Sequence, residues 1–210
     1  MTSLAVIIPA KSTGAKSRLS AVFTPQQREE FAILLLRDVI GVLKQAGMGR
    51  SSLVVSPDKK VLDVASRMGV RSVSEPGGKG VNSAVARGLR EAGDADALLV
   101  IPSDLPTLRA SELKHLASLR ARGIDAAISP SLSFDGTNAL LFSTASPFPL
   151  SYDDDSFWNH LAAAARKGLS TAICSAPGLM FDIDTVDDLR TLASSRAERP
   201  SARFARSIVG

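Results

Sequence analysis

Residues 4–19 read Leu-Ala-Val-Ile-Ile-Pro-Ala-Lys-Ser-Thr-Gly-Ala-Lys-Ser-Arg-Leu. The first five are an unbroken apolar run, the pattern of a strand covered on both faces. Thr24 and Pro25 follow as helix cap and first helical residue. Phe31, Leu34, Leu35, Val39, Val42, Leu43 and Ala46 then form one apolar stripe that stops at Gly47. The unit is strand, loop, helix, and it recurs: a strand over 52–55 with a helix over 59–68, a strand over 70–73 with a helix over 81–92, and a strand over 97–101. Such alternation predicts an α/β fold with a mostly parallel sheet and right-handed crossovers.

After Pro106 the alternation loosens. Helices are expected over 111–121, 155–167 and 186–193, the last capped by Thr185, and strands over 126–129, 138–142, 171–174 and 180–183. No internal repeat is present. The chain divides into one domain, residues 1–195, and a basic tail, residues 196–210, whose Arg, Ser and Ala content reads as loosely held. Phe204 and residues 208–209 would alternatively dock on a partner. Asp38 interrupts the first helical stripe and is expected to anchor a loop.

Composition narrows the class. With 210 residues, 45% of them hydrophobic and 22% charged, the chain suits a single globular domain. No apolar run approaches the roughly 18 residues of a membrane span, so no membrane partner is expected. Residues 1–9 lack the basic and small-residue features of a signal peptide. The lone Cys174 excludes a disulfide framework and a cysteine-rich zinc site, so the cytoplasm is the expected location. Of the net charge of +4, the arginines of 196–210 and Glu198 supply most, leaving a nearly neutral body with one Trp and one Tyr. That body offers neither a basic face nor stacking platforms, so nucleic acid is not an expected partner. A two-fold homodimer is the default assembly.

Ligands of open α/β sheets sit at the carboxyl ends of the strands. The first such loop carries Pro9, Ala10, Lys11, Gly14, Lys16 and Arg18, a cationic setting suited to a triphosphate. It is neither a Walker A loop nor a dinucleotide fingerprint, and a merely solvated basic loop has the same composition. A second loop, Glu75-Pro-Gly-Gly-Lys-Gly80-Val-Asn82-Ser83, opens a helix. Gly80 permits close backbone approach, and Asn82 and Ser83 would meet a base or ribose. An ordinary turn with a cap reads equally well. In the third, Ser103 and Asp104 lie between prolines, where a carboxylate would hold Mg²⁺ or simply terminate a turn.

Asp182 and Asp184 alternate, hence share a side of an extended segment, and would complete a metal site with Asp104. Asp184 is equally placed to neighbour a helix cap. Thr137 and Ser156 carry hydroxyls for a small phosphate monoester, although three consecutive acids at 153–155 oppose this unless they face away or bind metal. His160 on a helix reads first as structural. No Gly-x-Ser-x-Gly elbow exists, and Cys174 reads as packing.

Together these residues resemble the 2-phospho-L-lactate guanylyltransferase family of coenzyme F-420 biosynthesis, over roughly residues 4–192. The resemblance rests on the order and spacing of Pro9-x-Lys11, Ala15-Lys-Ser-Arg-Leu19, Arg37-Asp-Val39, Val81-Asn82, Ser103-Asp-Leu-Pro106, Gly136-Thr-Asn-Ala-Leu140, Asp155-Ser-Phe157 with His160, and Asp182-Ile-Asp-Thr185. Ser12, Thr13 and Val186 depart from the usual pattern without removing a candidate ligand. The resemblance implies a single-domain nucleotidyltransferase fold, nucleotide-diphospho-sugar transferase-like and Rossmann-like, with a mixed, mostly parallel sheet between helices. It also implies GTP and Mg²⁺, with a phosphorylated three-carbon acid as acceptor. The expected acceptor is 2-phospho-L-lactate, with phosphoenolpyruvate or 3-phosphoglycerate as the alternatives, and a non-catalytic nucleotide-binding module as the rival from another class. On this reading Lys11, Lys16, Arg18 and Asp104 carry catalysis. Pro9, Ala10, Lys11, Lys16, Gly80, Asn82, Ser83 and Ser103 bind nucleotide, Thr137, Tyr152 and Ser156 bind the acceptor, and Asp104, Asp182 and Asp184 bind metal. Residue types alone do not select guanine.

Overall fold

The computed structural model describes residues 3–77, 80–145 and 148–210. The amino-terminal half follows the expected alternation within a residue or two: β1 (Leu4–Pro9), α1 (Pro25–Gln45), β2 (Ser52–Ser56), α2 (Lys59–Arg67), β3 (Arg71–Ser74), α3 (Val81–Glu91) and β4 (Ala97–Val100). Next come α4 (Ala110–Ala121), β5 (Ala126–Pro130), β6 (Thr137–Ser143), α5 (Ser156–Arg166), β7 (Thr171–Ile173), α6 (Pro177–Met180), α7 (Val186–Ser194) and α8 (Pro200–Val209). Helix α1 starts where its sequence says: the Thr24 side chain accepts from Gln27 N at 3.2 Å while the Gln27 side chain accepts from Thr24 N, so two orphan donors are satisfied.

The strands form one sheet in the order β3-β2-β1-β4-β6-β5-β7. Strands β3, β2, β1 and β4 run parallel, β6 runs antiparallel to both β4 and β5, and β7 is parallel to β5. Strand β1 is buried on both sides, as its unbroken apolar run requires. Val6 and Ile8 pack with Leu36, Val39, Leu113 and Leu116 of α1 and α4, and Ala5 and Ile7 pack with Val85 and Phe157 of α3 and α5. The reversed direction of β6 has a functional consequence. Val100 pairs with Leu140, so the start of β6, at Thr137, lies on the same sheet edge as the ends of β1 to β4.

Three expectations fail. Residues 180–183 are not a strand: α6 ends at Met180 and the following segment pairs with no strand among the described residues. Its carbonyls go to side chains instead, Met180 O to Asn138 Nδ2 at 3.0 Å and Ile183 O to Lys16 Nζ. The tail is not loose either. Its apolar residues have a surface to bury, and α8 lays Ala202 and Ala205 into a cluster with Phe23, Phe31, Leu35, Leu189 and Leu192. Asp38 anchors this helix rather than a loop, accepting from Ser201 N at 3.2 Å and Ser201 Oγ at 2.5 Å. Burial pushes the Asp38 carboxyl above its ordinary range, against the opposing bonds from Ser201. Phe204, the proposed docking residue, stacks on Phe31 of the same chain with ring centroids 5.9 Å apart. Among the described residues no helix is long and apolar enough to cross a membrane.

Candidate active site

A cavity of about 460 Å³ opens at the shared edge of β1, β2, β3, β4 and β6, within the range of small-molecule sites. Of the expected site residues, Pro9, Ala10, Lys11, Lys16, Arg18, Gly80, Ser103 and Asp104 line it from the parallel strands. Thr137, Tyr152, Ser156, Asp182 and Asp184 line it from the carboxyl-terminal half. Asn82 and Ser83 stand behind the wall. Asn82 accepts from Tyr152 N at 2.8 Å and donates to Asp153 at 3.2 Å, and Ser83 Oγ donates to Glu75 at 2.6 Å. Through these bonds they brace the lining residues Tyr152 and Glu75. Gly78 and Lys79 of that loop lie outside the described residues.

The first loop is held from below by Asp58 at the start of α2. One carboxylate oxygen accepts from Ser12 N at 2.6 Å, Thr13 N at 2.9 Å and Ser12 Oγ at 3.2 Å. Partial burial opposes ionisation, but the bonds from Thr13 and Ser12 outweigh it and hold the Asp58 carboxyl below the usual range. Asp58 gave no sequence signal beyond that of a helix cap, yet its side chain makes no cap bond in α2. It shapes the loop instead.

Lys16 adopts φ 53°, ψ 41°, the left-handed region, which costs a non-glycine residue about 1–2 kcal/mol. That turn aims its ammonium inward. Nζ donates to Asp104 Oδ2 at 2.6 Å and Asp184 Oδ1 at 3.2 Å, and also to Ile183 O. The side chain is only 10% exposed. Burial lowers its proton affinity, and the charges of Asp104 and Asp184 more than reverse this, so the ammonium is held above its ordinary value. Arg18, exposed at the cavity mouth, reaches Asp184 Oδ2 at 3.6 Å.

Asp104, Asp182 and Asp184 thus converge, but not as a ready cage. Among the described residues no three His, Cys, Asp or Glu side chains are arranged to hold a metal. Lys16 stands between Asp104 and Asp184, and Asp182 is drawn to Asn138 Nδ2 at 3.0 Å. The donor set still fits one hard divalent cation. Asp104 Oδ1 is buried and without a hydrogen-bond partner among the described residues. Burial, together with the charge of Asp104, pushes the Asp182 carboxyl up to about 6. An orphaned carboxylate oxygen beside surplus negative charge is the setting such a cation satisfies.

The other flank is built around His160, which is fully buried. Ser151 N donates to Nε2 at 3.0 Å, so the ring proton sits on Nδ1 and is donated to Thr137 Oγ1 at 2.9 Å. The Thr137 hydroxyl proton is thereby left to point elsewhere, and Thr137 lines the cavity. Ser156 begins α5 and its Oγ accepts from Thr137 N at 2.9 Å, joining the two hydroxyls. Asp153, Asp154 and Asp155 are exposed and line no part of the cavity, which removes the objection they posed to an anion here. The Tyr152 hydroxyl is buried with no partner among the described residues. Among the lining residues that sequence reasoning did not assign to the site are the polar Glu75 and Asn138. Both lay inside stretches singled out for other residues, and a polar group adjoining a strand end was the available signal.

The arrangement offers cations for a polyphosphate, carboxylates for a divalent ion and hydroxyl donors for a second anion, all in one cavity. A family model described as guanylyl transferase CofC like matches residues 4–209. The phosphoenolpyruvate guanylyltransferase of Rubrobacter xylanophilus is 39% identical over 92% of this chain and 95% of its own. The 3-phospho-D-glycerate guanylyltransferase of Phenylobacterium zucineum is 33% identical over 94% and 93%. For the 2-phospho-L-lactate guanylyltransferase of Methanothermobacter thermautotrophicus the identity is 32%, over 90% and 83%. Among solved structures, a nucleotidyl transferase from the same archaeon superposes with a TM-score of 0.67 at 17% identity, covering 98% of this chain and 99% of that one. Mycobacterium tuberculosis Rv0371c in complex with manganese does so with a TM-score of 0.61 at 17% identity, covering 93% and 100%. The fold is that of nucleotidyltransferases.

Proposed function

The chain belongs to the CofC-like guanylyltransferase family, and on that premise we propose that it transfers GMP from GTP to a phosphorylated three-carbon acid, releasing pyrophosphate. The observation that carries this reading is the placement of Lys16, Asp104 and Asp184 beside Thr137 and Ser156 in one cavity. Phosphoenolpyruvate is the first acceptor to try, because a 39% identical relative is named for it. The acceptor expected from sequence, 2-phospho-L-lactate, comes second, and 3-phosphoglycerate third. All three carry a phosphate and a carboxylate on a short carbon frame. With 2-phospho-L-lactate the product would enter coenzyme F-420 biosynthesis.

The reaction is an in-line displacement at the α-phosphorus of GTP. An acceptor phosphate oxygen forms the new P–O bond as the bond to the bridging oxygen of pyrophosphate breaks, and the electron pair leaves with pyrophosphate. A phosphate monoester, with its second pKa near about 6, is mostly dianionic at neutral pH and needs no general base. Catalysis then rests on positioning and charge neutralisation. Lys11 and Arg18, at the mouth, take the outer phosphates, and Lys16 meets charge developing at the reacting phosphate. Asp104, with Asp182 or Asp184, would hold Mg²⁺, which when bound would neutralise phosphate oxygens and polarise the α-phosphorus. Manganese in the Rv0371c complex supports a divalent ion in this fold. Thr137 and Ser156 hold the acceptor phosphate at the start of α5, where backbone N–H groups favour an anion, and Tyr152 donates its unpaired hydroxyl.

The test is pyrophosphate release from GTP and Mg²⁺ with each of the three acids in turn. Release with one acid supports the reading and names the acceptor. GTP binding with no release under any acid would overturn it in favour of a nucleotide-binding module.

A further inference from the structure

Among the described residues, Glu75 is the one acid lining the cavity that the reaction as described does not use. It follows the last residue of β3, is 7% exposed and lines the cavity with Gly80, Val81, Ala84 and Pro57. Its backbone N–H donates to Ser56 O at 3.0 Å, which fixes where the side chain leaves the sheet edge. The Ser83 hydroxyl donates to Oε1 at 2.6 Å. Among the described residues no donor reaches Oε2 and no cation lies within salt-bridge distance. A carboxylate has about four acceptor positions, so Glu75, which lines the cavity, has acceptor capacity there for a ligand's N–H or O–H groups.

The strand order says which part of the nucleotide supplies them. From β4, where Asp104 stands, to β3 is three strand spacings through β1 and β2, about 14 Å at about 4.8 Å each. The first loop, with its cations, follows β1 and lies between them. A nucleoside triphosphate with its α-phosphate at Asp104 and Lys16 has its ribose one ester oxygen away and its base at the far end, over β3. The chemistry then discriminates among bases. Guanine alone presents two adjacent donors, N1–H and the 2-amino group, on one edge. Adenine and cytosine place a ring acceptor beside their amino group, and uracil flanks its single N–H with carbonyls. A carboxylate facing any of these three meets a lone pair.

We propose that Glu75, held by Ser83, reads the N1–H and 2-amino edge of guanine and is the residue that makes this guanylyltransferase selective for its nucleotide. The assignment rests on the GMP-transfer reading above and adds the base-recognising group that reading lacks. Two charge-assisted hydrogen bonds would meet the base, and each is among the stronger kind.

Inosine triphosphate keeps N1–H and lacks the 2-amino group, so it removes one bond without altering the protein. Wild type should prefer GTP over ITP by about 10- to 100-fold in kcat/KM, the effect of one hydrogen bond to a charged group. In Glu75→Gln that preference should shrink to about threefold or less, while the preference between GTP and 2′-deoxy-GTP stays as in wild type. A variant that is merely less well folded would lose rate with both nucleotides and keep their ratio. Equal use of GTP and ITP by wild type, or an unchanged ratio in the variant, overturns the assignment while leaving GMP transfer standing. A change confined to the deoxy comparison overturns it in favour of the ribose. A wild type that neither binds nor turns over GTP overturns both readings.

Discussion

The buried imidazole of His160 makes acid stability a direct test of the acceptor-side wall. Its Nε2 must remain unprotonated to accept from Ser151 N, and its Nδ1–H is committed to Thr137. The ring lies between Phe148 and Tyr152, with centroids 5.8 and 4.9 Å away. Burial lowers its pKa to about 4, against about 6.5 for an unfolded chain. Between those values the unfolded state binds the extra proton and the folded state does not, so stability rises with pH across the window. The contribution is fully present above about pH 6.5 and is lost as the pH falls towards 4. Linkage between these two pKa values gives a loss of about 2.5 kcal/mol at pH 4.5 relative to pH 7.5. Carboxylates titrate in the same range, so the reading is a difference. Urea unfolding of wild type and of His160→Gln, which cannot take up the proton, should be compared at both pH values. Wild type should lose about 2.5 kcal/mol more than the variant on acidification. Equal losses would refute both the tautomer and the burial argument for this ring.

Lys16→Ala and Asp104→Ala should each lower turnover at least about 100-fold with an unchanged circular-dichroism spectrum, the scale for removing one electrostatic group from a reacting centre; activity near wild type would remove that residue from the mechanism. Chelation should abolish pyrophosphate release, and Mn²⁺ binding followed by electron paramagnetic resonance should weaken in Asp104→Asn; undiminished binding there would move the metal elsewhere. Gly88→Ala brings a methyl group to 2.7 Å from Ile7 Cγ2 and 3.1 Å from its Cδ1, an overpacking expected to cost about 1–3 kcal/mol less the better helix propensity of alanine. A variant as stable as wild type to urea would mean that β1 and α3 separate freely. Ser201→Ala takes one donor from the buried Asp38 carboxylate, and hydrogen exchange over 200–209 should quicken by the equivalent of about 1–3 kcal/mol. Unchanged protection there would show that apolar packing alone seats α8.

Periodicity made the amino-terminal half legible. The run at 4–8 and the capped stripe from Thr24 to Ala46 belong to elements whose identity is set locally, by burial on two faces and by a satisfied helix start. The carboxyl-terminal half is less local. Residues 180–183 have strand-like composition, yet their carbonyls are claimed by Asn138 and Lys16 from distant parts of the chain. The tail looked polar because its few apolar residues are spaced for one face, and α1 and α7 supply the surface that makes a helix there worthwhile.

By itself the sequence determined which chemical groups this protein carries and which loops hold them: three cations after the first strand, an aspartate after the fourth, and two alternating aspartates near the end. Only the tertiary structure decided which of these groups meet. Lys16 reaches Asp184 across 168 positions of chain, and Thr137 joins the site because β6 runs backwards beside β4. Ser83, a candidate contact from sequence, also meets Glu75, to which its hydroxyl donates. Helix and strand identity depend on neighbours a few residues away, and composition records those. Side-chain partnership depends on strand order and direction, which are settled by packing of the whole sheet.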